Sequence, residues 1–242
     1  MWENEGKLLG VLGGMGPLAT QLFYRQVIER TDAKKDQEHL NMVILNHATM
    51  PDRTQSILSG FHSDIMQKLK NDAKTLETMG AVAIAVPCNT SHYYLDEIQK
   101  EISIPFIHMI REAVAAVATG GEGVKKVGIL ATTGTISGGM YQESCLDFGL
   151  MPIVPSEKSQ DLIMGIIYEG IKNGGEINFE DFLVVERELK DAGCHSVIMA
   201  CTELSCFKEM YNLPGFYVDA MEILAIRSIE RCGKQVKVKE CI

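Results

Sequence analysis

Residues 81–94, AVAIAVPCNTSHYY, and residues 196–205, SVIMACTELS, decide how this chain is read. Each is a solid apolar run of strand length that stops at a cysteine, Cys88 or Cys201, and passes at once into polar residues able to open a helix. Strands of parallel sheets have this form, because both of their faces are covered.

Working outward, strands and helices alternate along the chain. "KLLGVLGG" reads as a buried strand, and Pro17 suits the first turn of a helix with Leu18, Leu22, Phe23 and Val27 on its apolar face. After strand "LNMVILNHA", a helix is predicted over Phe61 to Met79 (Ile65, Leu69, Ala73, Leu76 and Met79), closed by Gly80. Beyond the Cys88 strand come a helix over Tyr94 to Glu101, strand "IPFIHM" and a helix to about Ala118. The glycine-rich "TGGEG" from Thr119 reads as a boundary, after which the pattern restarts. Strand "KKVGILA", a helix from about Ser137, strand "LMPIVP", and helices over Ser159 to Lys172 and Asn178 to about Gly193 lead into the Cys201 strand. "GFYVD" and a helix from about Asp219 to Arg231 come next; the tail from Gly233 is uninformative.

This order predicts an α/β protein of parallel sheets built from βαβ units. Gly10-Val11-Leu12-Gly13-Gly14-Met15-Gly16 lines up with Gly128-Ile129-Leu130-Ala131-Thr132-Thr133-Gly134, and a cysteine lies downstream of each at a comparable distance. A duplicated lobe accounts for this. The expected division is residues 1–117 with 213–242, carrying Cys88, and residues 118–212, carrying Cys201. Ligands of such sheets bind beyond the carboxyl ends of the strands, so two lobes facing each other would place one thiol on each wall of a cleft.

Composition excludes several classes. The chain has 242 residues, 46% of them hydrophobic, enough for a sizeable core. Its net charge of -9 comes from scattered charges without a basic block, which argues against nucleic acid and anionic membranes as partners. The opening Met1-Trp2-Glu3-Asn4-Glu5 lacks a basic, apolar leader, and a cytoplasmic location is expected. Seven cysteines, an odd number in a chain this long, are expected to be reduced thiols.

Cys145, Cys194, Cys206, Cys232 and Cys241 read as buried small hydrophobes. Cys88 and Cys201 differ, because a helix opening at each would aim N–H groups and a positive dipole end at the sulfur. That would draw the thiol pKa down from about 8.5 toward neutral. A thiolate and a thiol on opposite faces of one carbon can remove a proton from one side and deliver one to the other, which inverts the centre. A redox pair fits less well. Sulfurs each about 3–3.5 Å from one carbon are roughly 7 Å apart, against about 2 Å for a disulfide, and no Cys-x-x-Cys is present. His195 and its neighbouring cysteines lack zinc-ligand spacing, so no metal is expected.

Gly14-Met15-Gly16-Pro17-Leu18-Ala19 matches G-x-G-x-x-A, but the next strand ends in Asn46-His47 where a ribose-binding acid belongs, so no dinucleotide cofactor is expected. The loop reads either as a cradle for a small anion or as a tight turn. Asn89, Thr90, Thr133, Thr135 and Thr202 offer short donors for a carboxylate, or helix caps. Arg53 in "MPDRTQS" and Lys172 in "YEGIKNG" offer charge for a second carboxylate, or solvated surface. His92 and Tyr93 read as capping and packing residues.

Taken together, "GVLGGMGPLAT", "MPDRT", "VPCNTSHY", "ILATTGTI" and "ACTELS" make the chain similar, from about Lys7 to Arg231, to the aspartate racemase branch of the cofactor-independent aspartate/glutamate racemase superfamily. Glutamate racemases carry a D-S-G-type opening and G-C-T-H at the second cysteine; here the places read Gly13-Gly14-Met15-Gly16 and Cys201-Thr202-Glu203. The resemblance implies two pseudo-symmetric Rossmann-like lobes with an active-site cleft between them, usually dimeric, acting on an amino acid without pyridoxal phosphate. It assigns Cys88 and Cys201 as the two acid/base residues. Asn89, Thr90, Thr133 and Thr202, with Met15 of the glycine loop, become substrate contacts, and Arg53 and Lys172 grip the distal carboxylate. Some relatives lack one cysteine and take other amino acids; this chain keeps both. Aspartate racemisation is thus the leading expectation. The alternatives are a glutamate or broad-specificity racemase, a maleate isomerase or arylmalonate decarboxylase, and a two-lobed binding protein for small acids.

Overall fold

The computed structural model describes residues 6–119 and 125–237. Two parallel four-stranded sheets organise them, one in each of two compact units. The first unit comprises the chain up to Pro51, Phe61–Met109, and the chain from Met221 onward; the second comprises Asp52–Gly60 and Ile110–Ala220. Residues 52–60, 110–117 and 213–220 therefore group otherwise than in the division expected from sequence. The chain changes units at helix ends, at the start or finish of a helix, and not at "TGGEG", most of which lies outside the described residues.

In the first unit, β1 (Leu8–Gly13), β2 (Asn41–Asn46), β3 (Ala81–Ala85) and β4 (Phe106–Ile107) take the order β2-β1-β3-β4, all parallel. In the second, β5 (Lys126–Leu130), β6 (Met151–Ile153), β7 (Ser196–Met199) and β8 (Tyr217–Asp219) take the order β6-β5-β7-β8. The two orders are the same permutation. Burial tracks position in the sheet: central β1 is buried at every residue, whereas the edge strands β2 and β6 are only partly covered. The order reverses between β1 and β3 and between β5 and β7. Within each unit the cysteine, Cys88 or Cys201, lies just beyond the carboxyl end of the strand at that switch point, where ligands of such sheets bind.

The helices are α1 (Pro17–Arg30), α2 (Arg53–Ser59), α3 (Ser63–Thr78), α4 (Leu95–Gln99), α5 (Met109–Ala118), α6 (Thr133–Ser137), α7 (Met140–Asp147), α8 (Glu157–Gly165), α9 (Phe179–Asp191), α10 (Thr202–Met210) and α11 (Ala220–Arg231). Several expectations need correcting. Leu18 is half exposed, because the first turn of α1 starts past the end of the sheet; the buried stripe is Ala19, Leu22, Phe23 and Val27. Met79 is exposed as the C-cap of α3, and Gly80 comes next at φ 90°, a left-handed conformation that favours glycine. The helix expected from Ser137 is two helices, since Thr132 caps α6 early and Gly139 at φ 71° separates it from α7. The segment before Lys172 is α8, capped by Ser156, continued as a wider π-helix over Ile166–Lys172. Helix α2 has no counterpart among the expected elements; Asp52 caps it by accepting from the Gln55 amide at 2.8 Å.

Candidate active site

In the first unit, β3 is followed by Val86-Pro87-Cys88, and the Cys88 amide donates to the Val86 carbonyl at 2.7 Å, a tight reversal just past the strand. Cys88 is 5% exposed. The chain then enters a five-residue 3₁₀-helix, Thr90–Tyr94, and not the α-helix whose dipole was expected to act on the sulfur. Asn89 and Thr90 are buried beside Cys88. His92, buried, holds the loop from behind. Its Nδ1 lies 3.0 Å from the Cys88 carbonyl oxygen, and its Nε2 lies 3.0 Å from the Met109 amide nitrogen. A carbonyl only accepts and an amide N–H only donates, so Nδ1 carries the proton and the ring is neutral. Burial first, and His108 second, push its pKa down to about 3. Sequence reading assigns His92 to capping and packing; in the structure it locks the backbone of Cys88.

The glycine loop after β1 is a tight turn. Gly14, at φ 90°, has its amide taken by the Thr20 hydroxyl at 2.8 Å, and a Cβ there would stand 2.4 Å from the His47 amide nitrogen. That amide is spent on the helix and does not face an anion. Met15 is buried, its sulfur accepting from the Ser91 hydroxyl at 3.3 Å, which ties this loop to the Cys88 loop.

In the second unit, Cys201 is the N-cap of α10 and is 5% exposed. Its S–H donates to Glu203 Oε2 at 3.0 Å, and the other oxygen, Oε1, accepts from Lys172 Nζ at 2.6 Å. Thr202 adds a longer hydroxyl contact to Oε2 at 3.3 Å. One buried carboxylate thus joins a thiol to an ammonium group. Burial first, and the Glu203 charge second, push the Cys201 thiol well above its ordinary value, with Lys172 opposing. This reverses the expected downward shift, because burial of the sulfur first, and the acid two residues into the helix second, outweigh the helix end. Tyr141, fully buried on α7, is held protonated by burial and by Cys145, Asp219 and Cys201 nearby, and Ser205 donates to Asp219 at 2.6 Å.

Tyr168, which sequence reading missed, links Lys172 to the start of α2, the helix that opens with Arg53. The Tyr168 hydroxyl donates to Asp52 Oδ2, beside Arg53, at 3.2 Å, and Lys172 Nζ sits 5.5 Å from the Tyr168 ring centroid. Helix α2 is seated on α6 at Gly134, where a Cβ would meet Thr54 Cα at 2.7 Å. Thr133, half-buried in the same turn, donates its amide to Met164 Sδ at 3.3 Å. Sequence periodicity holds no signal for Tyr168, since the π-helix that presents it breaks the 3.6-residue repeat.

The family model for Asp/Glu/Hydantoin racemase matches residues 12–225, nearly the whole described chain. The chain belongs to the Asp/Glu/hydantoin racemase family. Among relatives, it is 32% identical over 142 residues to the broad specificity amino-acid racemase RacX of Bacillus subtilis, a match covering 56% of this chain and 59% of the relative. It is 28% identical over 178 residues to a glutamate racemase of Corynebacterium kroppenstedtii, covering 72% and 58%. The matched segments thus span less than two thirds of those relatives. Among solved structures, it superposes on the Picrophilus torridus aspartate racemase with TM-score 0.83 and 30% identity, covering 96% of both chains. The family assignment agrees with two α/β lobes of one topology. Among the described residues no group of three or more His, Cys, Asp or Glu side chains could hold a metal, and no helix is long and apolar enough to cross a membrane. The described cysteines are all free thiols.

Proposed function

We propose that this protein is a cofactor-independent amino-acid racemase acting on aspartate, with Cys88 and Cys201 as its two acid/base groups. The observation that carries the reading is the equivalence of the cysteines: each closes the third strand of a sheet of identical order, at its switch point. A binding protein has no use for a thiol at both places. One sulfur, as thiolate, takes the α-proton; the other, as thiol, protonates the opposite face, and the roles exchange for the other enantiomer. Asn89, Thr90, Thr133 and Thr202, with Met15, are assigned to the α-amino-acid end.

Aspartate is preferred over a neutral amino acid because Arg53 opens the helix whose cap, Asp52, accepts from Tyr168, and Lys172 lies by the Tyr168 ring, so the two elements Tyr168 joins each carry a cation suited to a second carboxylate. The Picrophilus torridus aspartate racemase, similar over nearly its full length, supports the same choice. The protein is further assigned to the cytoplasm and to a homodimer, as the family resemblance implies.

The test is turnover of L-aspartate in heavy water, read by chiral separation and mass. D-aspartate carrying deuterium at Cα is expected. Full racemisation by Cys88→Ala or Cys201→Ala would remove the two-thiol scheme, and turnover of glutamate or neutral amino acids in preference to aspartate would remove the substrate assignment.

A further inference from the structure

The link Lys172–Glu203–Cys201 does more than hold Lys172 in place. Glu203 is 5% exposed, and each of its oxygens serves a different partner: Oε1 takes the ammonium at 2.6 Å and Oε2 takes the sulfhydryl at 3.0 Å. The charged and titratable groups that act on Cys201 are Glu203 and Lys172, and Tyr141, itself near Asp219 and Cys145, is close enough to feel the sulfur's charge. With Lys172 bound to it, the Glu203 carboxylate is a satisfied anion. Burial first and the Glu203 charge second hold Cys201 in the thiol form, while Oε2 stands ready to take its proton.

Lys172 is also the group assigned above to the substrate's distal carboxylate. A lysine has one ammonium and a flexible stem, and a carboxylate arriving at it competes directly with Oε1 of Glu203. A buried carboxylate that loses its counter-charge favours its neutral form. Lys172 touches the carboxylate directly and the sulfur only through it. Withdrawing the cation therefore raises the proton affinity on the oxygen side of the hydrogen bond more than on the sulfur side.

We propose that the Lys172–Glu203 ion pair is a substrate-operated switch on Cys201: a dicarboxylate that draws Lys172 away from Glu203 causes the sulfhydryl proton to pass from Sγ to Oε2. The S–H bond breaks with its electron pair left on sulfur, an O–H bond forms on Glu203, and nothing is oxidised or reduced. The thiolate is thereby made only with a dicarboxylate in place, which selects such substrates at the chemical step as well as in binding and spares the resting thiol from adventitious alkylation. When the substrate leaves, Lys172 returns to Oε1 and the proton to Sγ. The inference rests on the assignment of Lys172 to the distal carboxylate.

The experiment uses the full-length Cys88→Ala protein, which leaves Cys201 as the thiol at the site, with succinate as a dicarboxylate that has no α-amino group to react. Binding is monitored by the rise in Tm, and thiolate by its ultraviolet absorbance at neutral pH. The expected result is a rise equal to a single thiolate per chain at saturating succinate, absent when Cys201→Ser, Glu203→Gln or Lys172→Met is added. A second measurement needs only the Cys201 and Glu203 of the wild-type protein: an infrared difference spectrum with isotopically labelled succinate should gain a protonated-carboxyl band that Glu203→Gln removes. Binding of succinate without thiolate or protonated carboxyl overturns the switch, as does a thiolate signal that persists in Glu203→Gln, or failure of succinate to bind. Because these readouts need binding and no turnover, they fail or succeed separately from racemisation.

Discussion

The ends of β3 and β7 hold the same residue at the same point of the same sheet order, yet the chain surrounds the two sulfurs differently. Behind Cys88 the work is done on the backbone: a neutral histidine is bonded to the Cys88 carbonyl on one side and to the first residue of α5 on the other. At Cys201 it is done on the sulfur itself, through a carboxylate that accepts the S–H and is held by a lysine. The proposed two-thiol scheme needs one acid and one base, and such inequality serves it better than two identical environments, since identical sulfurs would compete for one proton. Topology was repeated; proton management was not.

The strongest way to break the comparison is to remove either sulfur. Cys88→Ala and Cys201→Ala are each expected to lower racemisation by at least the 10²–10⁴-fold typical of lost acid/base catalysis, as an order of magnitude. An inequality in which only one sulfur matters would appear as one silent variant.

The next test sharpens the Cys88 side. His92 is neutral when folded, with a pKa pushed to about 3, while in the unfolded chain it takes a proton near pH 6.5. Between those values the unfolded state binds more protons, so this group's stability contribution is whole above about pH 6.5 and is lost as pH falls toward 3, at about 1.4 kcal/mol per pH unit. His92→Gln, able to donate and accept at the same two positions without titrating, should flatten that slope in urea melts across the window. An unchanged slope would show that the acid sensitivity lies elsewhere.

On the Cys201 side, Gly134→Ala places a methyl group 2.7 Å from Thr54 Cα. The backbone of α2 must shift, at a cost of roughly 1–3 kcal/mol, and Arg53 moves with it. A lower Tm and a raised KM for aspartate, with the Cys88 loop unaffected in hydrogen exchange, are expected. Tyr168→Phe is the mildest change. It deletes one hydroxyl bond to Asp52, worth about 0.5–1.5 kcal/mol, and should raise KM for aspartate a few-fold with kcat nearly constant. An equal fall in kcat would place Tyr168 in the chemistry and not in positioning.

Much of this was legible in the chain. The apolar runs ending in Cys88 and Cys201, the Gly13-Gly14 turn and the strand-helix alternation are local signals, because both strand burial and helix caps are set by residues a few positions apart. Helix α2 was missed because its seven residues bury only the polar Thr54 and Ser56, two positions apart, and so carry no apolar period. The direction of the Cys201 shift was also missed, since neither the burial of the sulfur nor, second to it, the Glu203 charge beside the thiol can be read from the chain alone.

Sequence by itself determined the parallel α/β architecture, the duplication and the two thiols at strand ends, all of which stem from hydrophobic period and residue type within a dozen positions. Only the tertiary structure decided that Lys172 and Glu203, 31 residues apart, share one ion pair with Cys201 hydrogen-bonded behind it. It alone also showed that His92 reaches 17 residues onward to Met109 while bonded to the Cys88 carbonyl. Such pairings depend on which strand ends the sheet order brings together and on how much water burial removes, and no local period in the chain records either.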